Sequence, residues 1–210
     1  MRYKLVIFDF DGTLADSFPW FARVLNSVAD KYGFQRVEPD KIDSLRGLNA
    51  RELIEHLGVP RWKVPLIARH MRKLKVTAPI DLFDGVDRML SGLAAGRVTL
   101  AMVSSDNEEN IRRTLGPELS SLVAQYACGA SLFGKAAKFK SVLRRTGHGA
   151  AETITIGDEL RDLEAARSAG IAFGAVAWGY TRPDALKARA PDEMFNSVGE
   201  ICDRLLGTNV

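Results

Sequence analysis

Two patterns of apolar residues alternate along the chain. Continuous apolar runs are typical of strands that are buried on both faces of a parallel sheet. They predict four strands, at 4–8, 98–103, 153–156 and 171–176, and a weaker run predicts a fifth at 123–130. Between these runs apolar residues recur at helical spacing, as Leu160, Leu163 and Ala166 do. Strands that alternate with helices favour an α/β fold with a doubly wound, mainly parallel sheet and right-handed crossovers.

The segment 16–82 interrupts this alternation. Its apolar residues form amphipathic stripes at 18–32, 53–57 and 66–74, which predict three helices and no strand. Gly58 and Pro60 end the second stripe. We therefore predict an α/β core over 1–15 and 83–210, with a small α-helical cap over 16–82 inserted after the first strand.

Composition narrows the class of protein. The chain has 210 residues, of which 46% are hydrophobic and 26% charged, as in globular proteins. Its net charge of +3 is too small for a dedicated nucleic-acid binder. We find no apolar run of the roughly 18 residues that cross a bilayer, and too few apolar residues before Asp9 for a signal peptide. Cys128 and Cys202 match neither a metal site nor a disulfide framework, so we expect a cytoplasmic protein without a membrane partner.

The strongest chemical signal is a pair of carboxylates at the end of the first predicted strand. Asp9 and Asp11 are two residues apart, so on a strand their side chains point the same way. Gly12 permits a sharp turn directly after them. Paired acids at close range suit a hard cation such as Mg²⁺, or a division of labour between nucleophile and proton donor.

Two weaker signals point to an anion. Ser104 and Ser105 follow the second long strand, where hydroxyl and backbone N–H groups can donate to phosphate oxygens. Lys135 follows Gly134 at the start of a predicted helix, the end of that element nearest the sheet edge. Lys138 competes for the same role, and we prefer Lys135 because it lies at the junction of loop and helix that would face the site.

A fourth signal is acidic and lies at the end of another strand. Asp158 follows a glycine there, and Asp162 lies one helical turn later on the same face. In a doubly wound sheet the ligand crevice lies at the carboxyl ends of the strands where the winding reverses. We expect the first strand to lie at that point, between the second and the fourth core strands. Asp9, Asp11, Ser104 and Asp158 then meet in one crevice.

These residues resemble the motifs of the haloacid dehalogenase-like (HAD) superfamily. The stretch 9–17 reads DFDGTLADS and is similar to the first motif, Ser104 to the second, Lys135 to the third, and GDELRD at 157–162 to the fourth. The resemblance implies a Rossmann-like HAD core. The helical insertion is similar to the cap of the phosphoglycolate phosphatase-like branch, and Arg46, Gly47 and Asn49 resemble its specificity loop.

The resemblance also implies a mechanism. Asp9 would attack phosphorus to form an aspartyl-phosphate, and Asp11 would act as general acid and then as general base. Mg²⁺ would be held by Asp9, by the backbone carbonyl of Asp11 and by Asp158. The phosphoryl group would be bound by Ser104, Ser105 and Lys135, and the site supported by Glu159 and Asp162. The implied function is a Mg²⁺-dependent phosphatase of a small phosphorylated metabolite, phosphoglycolate-like or a sugar phosphate, acting as a monomer or homodimer.

The three alternatives to this interpretation are a dehalogenase or phosphonatase, a mutase, and a nucleic-acid-binding module. Dehalogenase and phosphonatase members lack the second acid that is present here as Asp11. Mutases of the β-phosphoglucomutase type keep that acid, but have a histidine where this chain has Phe21 and an arginine where it has Ala50. Arg51 is one residue away, so a slipped alignment keeps the mutase open.

The third alternative is a basic nucleic-acid-binding module. Eight basic residues occur from Arg46 to Lys75, both included, and Trp62 lies within the same segment. We do not expect nucleic acid to be the partner, because such a run is more often a solvated helix face or a means of steering a small anion.

Overall fold

A computed structural model describes residues 2–48, 50–129 and 134–207. In these residues six parallel strands form one sheet in the order β3-β2-β1-β4-β5-β6. The strands are β1 Leu5–Phe8, β2 Thr99–Met102, β3 Val123–Tyr126, β4 Thr153–Gly157, β5 Ala172–Val176 and β6 Glu193–Phe195. The predicted α/β fold is confirmed.

Helices connect the strands. They are α1 Phe18–Tyr32, α2 Ala50–His56, α3 Val64–Lys75, α4 Val86–Ala95, α5 Glu108–Ser121, α6 Lys135–Thr146, α7 Leu160–Ala169, α8 Pro183–Lys187 and α9 Val198–Leu206. Helix α5 is kinked at Gly116, which has a φ of 73° and precedes Pro117. None of the helices in the described part of the chain has both the length and the apolar character of a membrane span.

Strand β1 lies at the centre of the sheet, as predicted, and each of its residues is buried. Its side chains alternate between two apolar clusters, because successive strand residues point to opposite faces. Val6 and Phe8 pack into the cluster that includes α4 and α9, whereas Leu5 and Ile7 pack into the cluster that includes α6 and α7. This double burial explains the unbroken apolar run that identified the strand.

The chain between β1 and β2 is helical in its described residues. Helices α1, α2 and α3 lie there, with 3₁₀ segments at Pro39–Gly47 and Arg61–Lys63. A separate apolar cluster formed by Leu25, Val37, Leu45 and Leu57 holds this insertion together. The observed helices agree in position with the three predicted stripes. The assignment of the insertion as a cap over 16–82 stays a prediction.

The two edges of the sheet differ from the sequence-based expectation. Strand β3 ends at Tyr126 rather than at residue 130, and its register against β2 shifts between Leu100 and Ala101. Strand β6 was not predicted. It has only three residues and pairs with β5 alone. Phe195 is its only buried residue, so the sequence has no continuous apolar run there that would predict a strand.

Candidate functional site

The carboxyl ends of the three central strands bring the predicted site residues to one edge of the sheet. Phe8 pairs with Met102 on one side and with Ile156 on the other. The Asp9 N–H continues this pattern by donating to the Ile156 carbonyl at 2.9 Å. Asp9, Ser104 and Asp158 therefore begin the three loops that leave the sheet next to one another.

Asp9 is buried and both of its carboxylate oxygens are engaged. Oδ1 accepts from the Phe10 N–H at 2.8 Å, and Oδ2 accepts from Lys135 Nζ at 2.6 Å. Lys135 Nζ also donates to Asp162 Oδ1. Burial alone would lower the pKa of Lys135, but the carboxylates of Asp162 and Asp9 outweigh it and raise that pKa above its usual value. Lys135 is therefore a fixed ammonium ion beside the Asp9 carboxylate.

Geometry separates the two lysines that the sequence left as alternatives. Lys135 is the first residue of α6 and is buried between two carboxylates. Lys138 instead donates to the backbone carbonyl of Cys128 and is half-buried. Of the two, Lys135 alone is placed beside Asp9.

Three buried carboxylates form a cluster that could hold a cation. Asp9, Asp158 and Asp162 each offer an oxygen, and these oxygens lie within 4.8 Å of one another. Burial is the main cause that raises the pKa of Asp9 and of Asp158 above the ordinary value. Asp162 Oδ2 is buried without a hydrogen-bond partner among the described residues. Three buried carboxylates, one of which has an oxygen without a hydrogen-bond partner, are a donor set that fits Mg²⁺.

The loops around Asp158 enclose it tightly. Its Oδ1 accepts from Thr13 Oγ1 at 2.8 Å, and its Oδ2 accepts from the Tyr180 N–H at 2.7 Å. A Cβ added to Gly179 would lie 2.1 Å from the Asp158 Cβ. A Cβ added to Gly12, which also has a φ of +74°, would lie 2.2 Å from Asp158 Oδ2. Both positions therefore require glycine.

Asp11 lies outside this three-carboxylate cluster and contacts the helical insertion. Its carboxylate pairs with Lys75, the last residue of α3, and Lys75 also pairs with Asp106 at 2.6 Å. The Lys75 ammonium lies 5.5 Å from the centre of the Phe10 ring. Burial would lower the pKa of Lys75, but Asp11 and Asp106 outweigh it and raise that pKa. Sequence reasoning counted Lys75 only among the basic residues of the insertion, and Asp106 was missed.

Asp106 also organises the loop that follows β2. Its N–H donates to Ser104 Oγ at 3.1 Å, and its Oδ1 accepts from the Asn107 N–H and from Asn110 Nδ2. Ser104 is buried, whereas Ser105 is half-buried and borders the cavity described below. The two serines therefore occupy different depths of the same loop.

Tyr180 links the core to α1. Its hydroxyl lies 3.0 Å from Ser17 Oγ. Its ring packs edge-on against two phenyl rings, with 5.3 Å between ring centres for Phe18 and 6.1 Å for Phe21. Burial raises the pKa of Tyr180 well above its usual value, so the hydroxyl stays protonated. No sequence signal identified this residue, because it lies far along the chain from every motif.

A cavity of about 920 Å³ lies between the site and the helical insertion. Asp11, Lys75, Ser105 and Asp106 border it on the side of the sheet. Glu159 and Arg161, which form an ion pair with each other, border it as well. Half of the eight basic residues counted from Arg46 to Lys75 line the cavity, namely Arg51, Arg61, Arg72 and Lys75. This placement fits a small anionic ligand better than a nucleic-acid surface.

Arg46 of the predicted specificity loop contacts Phe18 and Arg182. The Arg46 guanidinium lies 4.1 Å from the centre of the Phe18 ring, and the Arg46 backbone carbonyl accepts a hydrogen bond from the Arg182 N–H. Arg46 is not among the described residues that line the cavity. Asn49 lies outside the described residues. The role of this loop stays a prediction.

Comparisons with known proteins agree with the motifs. The family model described as haloacid dehalogenase-like hydrolase matches residues 6–176. The chain is 31% identical over 201 residues to the phosphoglycolate phosphatase of Synechococcus elongatus, with 94% of this chain and 95% of that protein covered. It is 25% identical over 198 residues to the N-acetylmuramic acid 6-phosphate phosphatase of Pseudomonas putida, with 88% and 87% covered.

Solved structures extend the agreement to the whole fold. The crystal structure of a predicted phosphatase from Clostridium acetobutylicum superposes with a TM-score of 0.82 at 20% identity and covers 99% of this chain and 100% of that one. At this identity the likeness supports the fold alone.

Proposed function

This chain belongs to the haloacid dehalogenase-like hydrolases, and we propose that it hydrolyses a small phosphorylated metabolite of the cytosol through an aspartyl-phosphate on Asp9. The membership predicted from the motifs is confirmed, and so is the prediction that the protein is a phosphatase, a phosphoric monoester hydrolase. The substrate, the metal and the role of each residue are the content of the proposal.

The observation that carries the proposal is the environment of Asp9. Its carboxylate is buried at the end of the central strand and is held by Lys135 and by the Phe10 N–H. A carboxylate fixed at both oxygens is oriented before substrate arrives, and such preorganisation supports nucleophilic attack. Lys135 also offsets the repulsion between that carboxylate and an anionic phosphoryl group.

In the first step a carboxylate oxygen of Asp9 forms a bond to phosphorus while the bond from phosphorus to the leaving oxygen breaks. Asp11, in its protonated form at this step, gives its proton to that oxygen, so the product leaves as an alcohol. Asp11 lines the cavity, where the leaving group would lie. Lys75 fixes the position of Asp11 at that wall.

In the second step water attacks phosphorus, and Asp11 takes the proton that the water loses. The bond between phosphorus and Asp9 breaks, which releases inorganic phosphate and restores the Asp9 carboxylate and the protonated Asp11. Ser104, Ser105 and the loop that Asp106 organises would bind phosphoryl oxygens during both steps.

Asp9, Asp158 and the nearby Asp162 would hold Mg²⁺, together with the backbone carbonyl of Asp11. Bound Mg²⁺ supplies positive charge that stabilises the phosphoryl oxygens. Asp162 has a second task in this arrangement, because its other oxygen positions Lys135. Glu159 would support the site indirectly, through its ion pair with Arg161.

Phe21 favours hydrolysis over the mutase alternative. Its ring lines the cavity and packs against Tyr180. A phenyl ring neither donates nor accepts a proton, so it cannot replace the histidine that the mutase branch has at this position.

Phosphate release tests the proposal. Wild-type protein is screened with Mg²⁺ against phosphoglycolate, sugar phosphates and nucleoside monophosphates, and Asp9→Asn is the matched control. We expect release from at least one ester by the wild type alone. Equal release by Asp9→Asn, or release from no ester, would contradict the proposed function.

A further inference from the structure

One face of α3 forms a continuous wall of the cavity. The residues on this wall recur at helical spacing along the whole helix: Val64, Pro65, Ala68, Met71, Arg72 and Lys75. Eleven steps at 1.5 Å make this wall about 16 Å long. Lys75, at the end nearest the sheet, pairs with Asp11, so the cavity extends from the proposed general acid along three turns of helix.

Helices α1 and α2 contribute apolar residues to the lining. Trp20 and Phe21 from α1 and Ile54 from α2 line the cavity together with Met71 and Ala68. A ligand that reached only the last turn of α3, which is the turn nearest the sheet, would leave these side chains without a partner. The volume of about 920 Å³ lies near the upper end of the range of roughly 300–1,000 Å³ that is usual for ligand sites.

The described lining of the cavity has one more basic residue than acidic residues. In the described lining there are five basic residues and four acidic ones. Lys75 pairs with Asp11 and Asp106, Arg161 pairs with Glu159, and Arg51 and Arg61 both contact Glu55 at 3.2 and 3.6 Å. Arg72 forms no ion pair within the ranges that the structure describes, and it lies one helical turn from Lys75.

We propose that this cavity takes an elongated phosphate monoester, with its phosphoryl group at Asp9, an apolar body along α3 and a second anionic group at Arg72. The inference rests on the proposed function and names its substrate class. A two-carbon ester such as phosphoglycolate carries the second anion but lacks the apolar body. An ester with a ring between the two charges can pair its second anion with Arg72 and pack its ring against the apolar lining that includes Trp20 and Met71.

Three esters separate these contributions: benzyl phosphate, 4-carboxybenzyl phosphate and 2-phosphoglycolate. The two benzyl esters have leaving groups of similar reactivity and differ in the carboxylate alone. We expect kcat/KM of the wild type to be about tenfold higher for 4-carboxybenzyl phosphate than for benzyl phosphate, the effect of one charge-assisted hydrogen bond. A similar advantage of roughly tenfold over 2-phosphoglycolate is expected from burial of the ring.

Two variants locate the second anion. Arg72→Met removes the guanidinium group but keeps an unbranched apolar side chain, and we expect the preference for the carboxylated benzyl ester to fall to near parity. Arg69→Met is the matched control, because Arg69 is an exposed cation of the same helix outside the described lining. It should keep the full preference. Equal turnover of the two benzyl esters by the wild type, a preference for 2-phosphoglycolate, or equal loss in both variants would overturn the inference.

Binding to Asp9→Asn keeps this result distinct from the proposed function. Calorimetry with the same three esters reads the preference without any hydrolysis. In Asp9→Asn, tighter binding of 4-carboxybenzyl phosphate than of benzyl phosphate supports the cavity assignment if the added Arg72→Met change removes it. This holds even if the wild type releases no phosphate, and then only the proposed function fails. Equal Kd values for the two benzyl esters overturn the inference even if hydrolysis is observed.

Discussion

Lys75 and Asp11 form an ion pair across 64 residues of sequence, from the end of α3 to the loop that follows β1. Lys75 also contacts Asp106, in the loop that follows β2. One ammonium group therefore ties the helical insertion to both loops of the core that the proposed mechanism uses. The position of the insertion and the position of the proposed general acid are linked through this side chain.

Replacement of Lys75 by methionine should lower the free energy of unfolding. The change leaves the buried Asp106 carboxylate without its cation, and loss of one partner of a buried ion pair costs about 3–5 kcal/mol. We expect about 3 kcal/mol, because the Asp11 side chain is 27% exposed and partly hydrated. Urea unfolding of the two proteins measures the difference.

A double-mutant cycle separates this ion pair from general damage. Asp106→Asn removes the charge that Lys75→Met leaves unpaired. The double variant should be more stable than the sum of the single effects predicts, by about 1 kcal/mol or more. Strict additivity would show that the pair makes no net contribution.

Asp11→Asn should slow the first chemical step according to the leaving group. An alkyl alkoxide is strongly basic and needs a proton, so its departure should slow by roughly 10²–10⁴-fold. p-Nitrophenolate leaves readily without one, so the burst of aspartyl-phosphate formation from p-nitrophenyl phosphate should suffer much less. Single-turnover kinetics with both esters measure the two rates.

Steady-state turnover is not the readout for this prediction. Hydrolysis of the aspartyl-phosphate also uses Asp11, so steady-state rates should fall for both esters. If Asp11→Asn lowered the rate of the first step equally for both esters, Asp11 would position other groups and donate no proton.

Much of the core was predictable because its signals are local. A strand buried on both faces gives an unbroken apolar run, as 4–8 does, and the residue that follows its end must lie at the sheet edge. Adjacent parallel strands then bring Asp9, Ser104 and Asp158 together without any knowledge of side-chain contacts. Lys135 was found in the same way, from its position at the start of a helix.

The remaining parts of the site depend on tertiary packing. Lys75 is one of several lysines and arginines on an amphipathic helix, and only the docking of α3 onto the core distinguishes it. Tyr180 contributes its backbone N–H to Asp158, and any residue type except proline could do so. Asp106 resembles an ordinary residue near a helix start until its second oxygen meets Lys75.

Gly179→Ala should disrupt the candidate metal cluster. The added Cβ would lie 2.1 Å from the Asp158 Cβ, so Asp158 or the Tyr180 loop must move. We expect a loss of about 1–3 kcal/mol in stability and at least roughly tenfold in kcat/KM, since small displacements of reacting groups are costly. Gly199→Ala is the control, because a Cβ there meets no atom within 4 Å. Retained activity in Gly179→Ala would show that Asp158 tolerates displacement.

Phosphatase activity should require Mg²⁺. Carboxylate oxygens select hard cations, so Mn²⁺ should substitute, whereas Ca²⁺ should inhibit because it prefers longer bonds and more ligands. Activity is measured after removal of metal by chelator and after each cation is added back. Full activity in excess chelator would contradict the assignment of Asp9, Asp158 and Asp162 to a metal.

The central claim is that Asp9 becomes phosphorylated during turnover. Wild-type protein is mixed with a hydrolysed ester, quenched within a single turnover and reduced with borohydride, which converts an aspartyl-phosphate to homoserine. Peptide mass spectrometry then locates the modified residue, with Asp9→Asn as the control. The account predicts homoserine at position 9 in the wild type and no modification in Asp9→Asn. Modification at another residue, or wild-type turnover by Asp9→Asn, would contradict it.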